Sequence, residues 1–251
     1  MKPRIDTKDV KNVLNDELKI PVYQRPYKWK AAKHVNRLLV DIEREVTRDN
    51  TNNIEYRIGT IILYQNQENS PLEIVDGQQR LVTIALILLA LDNNNSPRFI
   101  NDQIFENSIS KNNIKFNYEY IVNFFSLYKG DKQKYKSFLL NNCTFSVISL
   151  NDLTEAFQLF DSQNSRGKEL FPEDLLKAFH LREMNEADEV KKEKGVKWEN
   201  YIDQGILNNV IGKCLFRIRN WQRNEWKNYY FDTDEIDEYK GINLFQSIFN
   251  P

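Results

Sequence analysis

Leu72-Glu73-Ile74-Val75-Asp76-Gly77-Gln78-Gln79-Arg80-Leu81-Val82 decides how the rest of the chain is read. Leu72 to Val75 reads as a short apolar strand, Asp76 to Arg80 is a polar turn, and Leu81 to Leu91, broken only by Thr83, is a strongly apolar helix. A strand that passes through a glycine turn into a helix is a common place for anions to bind. Glycine lets the backbone turn tightly, the first helical N–H groups point out of the helix N-terminus, and a guanidinium on the first turn adds a bidentate contact. A plain turn with Asp76 near the N-cap uses similar residues, so these five positions alone leave both readings open.

Upstream, Asp6 to Leu18 is predicted helical, Lys19 to Gln24 a strand, and Trp29 to about Arg48 a helix with Val35, Leu38, Leu39, Ile42 and Val46 at helical spacing. Strands are predicted at Tyr56 to Tyr64 and Leu72 to Val75, with the helix at Gln78 to Leu91 after them. The Asn- and Lys-rich stretch over about 93–142 reads as a helical insertion. Thr144 to Leu150 returns to strand, Leu153 to Gln163 is helical with Gly167 as the stop, and Pro172 opens a helix to about Met184. The pattern gives an α/β (α+β) fold: a mixed-sheet core over 1–190 and a C-terminal α-helical region over 191–251.

Composition narrows the function. With 251 residues, 41% of them hydrophobic, the chain can bury a real core. Its longest apolar run is far short of the roughly 20 residues a membrane span needs. No charged-then-apolar leader precedes the chain, and Cys143 and Cys214 have no metal or redox spacing, so a soluble protein of a reducing cytoplasm is expected. The net charge of −1 argues against a general nucleic-acid coat, yet Lys19 to Arg37 holds six basic residues and no acidic one. Tyr27, Lys28, Trp29, Lys30 and Lys33 are therefore candidates to meet a DNA backbone and an exposed base, a solvated helix face being the plain alternative. A second basic and aromatic cluster, from Lys213 to Lys227, is read as such a face. Gly205 to Cys214 is no Walker motif, because six residues separate its glycines and Cys214 stands where the magnesium-binding hydroxyl belongs. His34 and His180, the two histidines, cannot build the metal site of an HNH nuclease.

Asp76-Gly77-Gln78-Gln79-Arg80 resembles the signature of the GmrS-type domain of GmrSD type IV restriction endonucleases and SspE-like phosphorothioate-sensing defence proteins. Three further stretches resemble that family in the same order: Ile20-Pro21-Val22-Tyr23-Gln24-Arg25-Pro26-Tyr27-Lys28-Trp29, the strand Ile58 to Leu63, and Phe160 to Leu170 followed by Asp174-Leu175-Leu176-Lys177. Val82 departs from the usual threonine, a change a buried helix tolerates. The resemblance implies a core similar to the ParB and sulfiredoxin type and a domain that binds, and in one reading hydrolyses, an NTP with Mg2+ or another divalent cation. In that reading Arg80 and Arg25 neutralise phosphate, Asp76 holds metal or orients water, and Gln78 or Gln79 positions water or phosphates. The Gly77 amide, Gln24, Asn164 and Arg166 join the nucleotide site. The implied partners are modified DNA, an HNH-type nuclease domain or subunit outside this chain, and a second copy in a homo-oligomer. A non-hydrolysing DNA-binding or adaptor module that uses the nucleotide as an allosteric ligand is the alternative. Lys177, a lysine on a helix, is expected to be solvated.

Overall fold

The computed structural model describes residues 3–48, 55–68, 70–92, 107–153, 155–156, 159–160 and 172–222. Packing divides the chain into two compact units, Met1–Pro21 with Pro26–Gln163, and Val22–Arg25 with Asn164–Pro251.

The first unit is built on a five-stranded mixed sheet in the order β1-β5-β3-β4-β2. Its strands are β1 (Arg4–Asp9), β2 (Leu18–Lys19), β3 (Tyr56–Tyr64), β4 (Leu72–Asp76) and β5 (Cys143–Leu150). The central β3 runs parallel to β5 and antiparallel to β4. Alternation along the strands sends side chains to both faces. Ile61, Leu63, Ile74, Phe145 and Val147 join a large core. Ile62, Val75, Ile148 and Leu150 turn the other way, into a smaller cluster with Ala156, Leu159 and Phe160. Burial of both faces explains why these strands read as continuous apolar runs.

The large core is covered by α1 (Val10–Asn15), α2 (Asn36–Thr47, entered through a π-helical turn at Ala31–Val35), α3 (Gln78–Leu91), α4 (Ser108–Leu127) and α5 (Lys132–Asn141). Helix α3 is buried continuously from Leu81 to Leu88, which fits a helix apolar all round. The expected helical insertion is present as α4 and α5; 93–106 lie outside the described residues. Helix α4 packs along α3.

Two expectations upstream are corrected. Residues 6–9 are strand, because β1 pairs antiparallel with β5, Asp6 opposite Val147 and Asp9 opposite Thr144, and the ladder outweighs local helical spacing. The helix starts only at Val10, where Asp9 accepts from the Asn12 amide at 2.7 Å as N-cap. The predicted strand over Lys19 to Gln24 is reduced to Leu18–Lys19, after which Val22 and Tyr23 form a turn.

The second unit is helical: α6 (Pro172–Glu183), α7 (Asp188–Asp203), a π-helical segment (Asn208–Leu215) and α8 (Phe216–Gln222). Leu176 and Ile211 form its small apolar centre, with Trp198 and Leu207 against them. It begins to pack at α6, upstream of the expected boundary near 190, and takes Val22–Arg25 with it.

Candidate functional site: the turn between β4 and α3

Two register shifts shape the turn. In the β3–β4 ladder Ile62 faces Asp76 while Leu63 faces Ile74, so Val75 bulges. In the β3–β5 ladder the shift falls between Arg57 and Gly59. Bulges re-aim side chains and recur beside functional sites. Gly77 then caps α3 with φ 97°, ψ −1°, a left-handed conformation suited to glycine, and a Cβ there would run into the Ile61 side chain of β3. No side chain caps the helix. The amides of Gln78, Gln79 and Arg80 occupy the first turn, where N–H groups have no intrahelical acceptor and the dipole is positive.

Arg80 lies directly over Gly59, whose missing side chain makes room for the guanidinium. Its Nη2 donates to Asp76 Oδ2 at 3.3 Å, and both side chains are about a quarter exposed. Asp76 thus sets the direction of the guanidinium. Gln78 is 5% exposed, and its Oε1 has no hydrogen-bond partner. A buried acceptor of this kind is costly unless water or a ligand supplies a donor.

Gln79 has a different role from the one expected. At 8% exposure, its Oε1 accepts from the Lys28 and Trp29 amides at 2.8 and 3.1 Å, and its Nε2 donates to the Pro26 carbonyl at 3.1 Å. Its side-chain amide holds the 26–29 loop. Helix α4 completes the anchorage. Ser110 Oγ accepts from the Tyr27 amide at 2.9 Å, Asn113 Nδ2 donates to the Tyr27 carbonyl at 2.8 Å, and Asn117 Nδ2 donates to the Trp29 carbonyl at 2.8 Å and to the Tyr27 hydroxyl at 2.9 Å. Thr83 gives its proton to the Gln79 carbonyl at 2.8 Å, so the Tyr27 hydroxyl donates to Thr83. Burial pushes the Tyr27 phenol up to about 12, with the hydrogen bonds to Thr83 and Asn117 acting against it.

Tyr27 is accordingly a core residue, fully buried, and is withdrawn as a base-stacking group. Trp29 is half-buried against the core and stacks on His34 at 5.6 Å. Lys28 is half-buried, whereas Arg25, Lys30 and Lys33 are exposed. Gln24 and Arg25 pack with the helical unit, whose Lys177 Nζ donates to the Gln24 carbonyl at 3.0 Å. Lys177 is buried, contrary to the expectation of a solvated lysine, because it pairs with Glu199 at 2.7 Å. Asn164 and Arg166 lie outside the described residues. Ser110, Asn113, Asn117 and Gly59 were not singled out by sequence reading. The signal was a set of small polar residues at i, i+3 and i+7 along one face of an insertion helix.

A divalent cation is testable on the donor set. No group of three or more His, Cys, Asp or Glu side chains that suits a metal occurs among the described residues. Asp76 offers one carboxylate, already engaged by Arg80. That fits a cation carried largely by nucleotide phosphates, as magnesium often is.

Residues 10–181 match the family described as GmrSD restriction endonuclease, N-terminal domain. The chain belongs to that family. The GmrSD match spans all four motifs up to Leu181 and ties the chain to restriction, with a nuclease partner domain and DNA implied by the family. Residues 190–250 match a family of unknown function. No curated protein matches the chain. Among the described residues, no helix is long and apolar enough to cross a membrane.

Proposed function

We propose that the chain is an NTP-binding sensor domain of a modification-dependent anti-phage restriction system, hydrolysing the nucleotide and relaying its state and the presence of modified DNA to an HNH-type nuclease domain. The observation that carries this reading is the uncapped start of α3, where left-handed Gly77 opens the first-turn amides beside a guanidinium held by Asp76 over Gly59. The partnerless Gln78 Oε1 supports a ligand that brings a hydrogen-bond donor, such as a nucleotide hydroxyl or its ordered water. Arg80 and Gly77 bind phosphate, and Asp76 orients Arg80 and offers one oxygen to the cation.

The engagement of Asp76 by Arg80, together with the commitment of Gln79 to the 26–29 loop, favours one alternative: nucleotide bound as an allosteric ligand without turnover. Calorimetry with a panel of NTPs and magnesium, followed by phosphate release with and without phosphorothioate or glucosylated DNA, separates the two. Arg80→Ala is expected to weaken NTP binding by about 1.5 to 3 kcal/mol, the range for a charge-assisted hydrogen bond. Unchanged affinity in a folded variant removes Arg80 from the site, and binding without phosphate release selects the allosteric reading.

A further inference from the structure

A polar pocket of about 460 Å³ opens in the sheet unit where the end of β1, the first residues of β5 and helix α1 come together. Its volume is that of a small-molecule site, roughly 300 to 1,000 Å³. The strand register builds it. Asp9, the last residue of β1, stands opposite Thr144 of β5, and cross-strand partners project from the same face, so both side chains enter the lining. Asp9 and Asp16 cap the two ends of the short α1, Glu55 directly precedes β3, and Asn141 ends α5 just before β5 begins.

The lining is rich in acceptors. Asp9 takes the Asn12 amide at 2.7 Å and Asn12 Nδ2 at 3.0 Å, one on each oxygen, so each oxygen keeps capacity for a further donor. Asn141 turns its Nδ2 to the Ser137 carbonyl at 2.9 Å, which leaves its Oδ1 to accept. Lys8, the one cation of the lining, pairs with Asp16 at 2.8 Å; among the described residues the Asp9 and Glu55 carboxylates have no cationic partner. Thr144 is 4% exposed, and its Oγ1 has no hydrogen-bond partner. β1 and β3 pair with β5 on its two sides through the backbone and leave that hydroxyl over. A buried hydroxyl in this state is costly unless a group in the pocket bonds to it. Among the described residues no set of three carboxylates is grouped to hold a metal ion, so the negative charge is spread along the pocket.

We propose that this pocket binds a small organic cation with several ammonium groups, of the polyamine class. Its ammonium groups donate to Asp9 and Glu55, and an N–H reaches Thr144 Oγ1. Three carboxylates against one ammonium repel phosphate, so this site and the β4–α3 turn take ligands of opposite charge. The proposal stands without the nucleotide reading.

Spermidine and putrescine are titrated by calorimetry into the full chain at about 0.15 M KCl, where long-range attraction is already screened. Wild type is expected to show one saturable site for spermidine. Asp9→Asn, which keeps a side chain able to cap α1, combined with Glu55→Gln is expected to weaken binding about tenfold, the scale of a hydrogen bond to a charged group. Thr144→Val is expected to weaken it about fivefold and to leave the urea midpoint unchanged or higher, because no bond within the protein is lost. Glu193→Gln removes an exposed charge on α7, outside the pocket, and should leave the affinity as it is. Absence of saturable binding, unchanged affinity in the pocket variants, an equal loss in Glu193→Gln, or a clear fall in the urea midpoint of Thr144→Val overturns the proposal.

Discussion

Residues 22–29 are one continuous motif in sequence, yet its two halves are held by opposite physics. Pro26 to Trp29 are fixed by neutral amides and hydroxyls: Gln79, Ser110, Asn113 and Asn117 all end on backbone groups of this loop. Within Val22 to Arg25, the Gln24 carbonyl accepts from Lys177, which is buried in an ion pair with Glu199. Neutral hydrogen bonds give up little hydration free energy and each adds about 1 kcal/mol. A buried pair gives up far more and is retained only when both charges are present. The first half is therefore a robust anchor and the second a conditional one, sensitive to the loss of a single partner.

The contrast can be broken most sharply at the ion pair. Lys177→Met removes one charge of a buried pair and is expected to cost about 3 to 5 kcal/mol in urea unfolding, whereas Lys177→Met with Glu199→Met should recover most of that loss. A single variant as stable as wild type would show that the pair is open to water. Next in size is Gln79→Leu, which strands two amides and a carbonyl of the loop and is expected to cost about 3 kcal/mol. A loss below about 1 kcal/mol would mean that α4 alone holds residues 26–29.

Tyr27 gives a pH signature of the neutral anchor. In the unfolded chain the phenol ionises near 10, and in the fold burial holds it up to about 12. The stability it contributes is complete below pH 10 and is lost as pH rises through 12, at about 1.4 kcal/mol per pH unit. Tyr135 and Cys143 are also raised by burial and act in the same direction. Urea midpoints are expected to fall between pH 9 and 12, less steeply in Tyr27→Phe; identical slopes would mean that the phenol is not buried in solution.

The smallest effects are expected at the surface. Lys197 and Glu193 approach to 2.6 Å, but their side chains are 63% and 66% exposed, and removal of either should leave stability within about 0.5 kcal/mol. Lys30→Ala with Lys33→Ala should be equally silent in unfolding. If these lysines meet a DNA backbone, the same variant flattens the salt dependence of binding by up to about 2 logarithmic units; an unchanged slope returns them to a solvated face.

By itself the sequence determined what depends on local chemistry. The apolar run from Leu81, the glycine that ends β4, the strands of β3 and β5 and the order of the four motifs follow from side-chain volume, period and backbone freedom, all readable over a few residues. The tertiary structure decided whatever depends on which backbone groups lie opposite a side chain. Residues 6–9 became strand because β5 offered an open ladder. Gln79 became an anchor because the 26–29 amides face it. Tyr27 left the candidate DNA face because its hydroxyl sits between Thr83 and Asn117, 56 and 90 residues away. Lys177 became buried because Glu199 and the Gln24 carbonyl surround its ammonium. A polar side chain carries the same hydrogen-bonding capacity at a surface and in a core, so its identity cannot reveal its role until long-range packing supplies its partners.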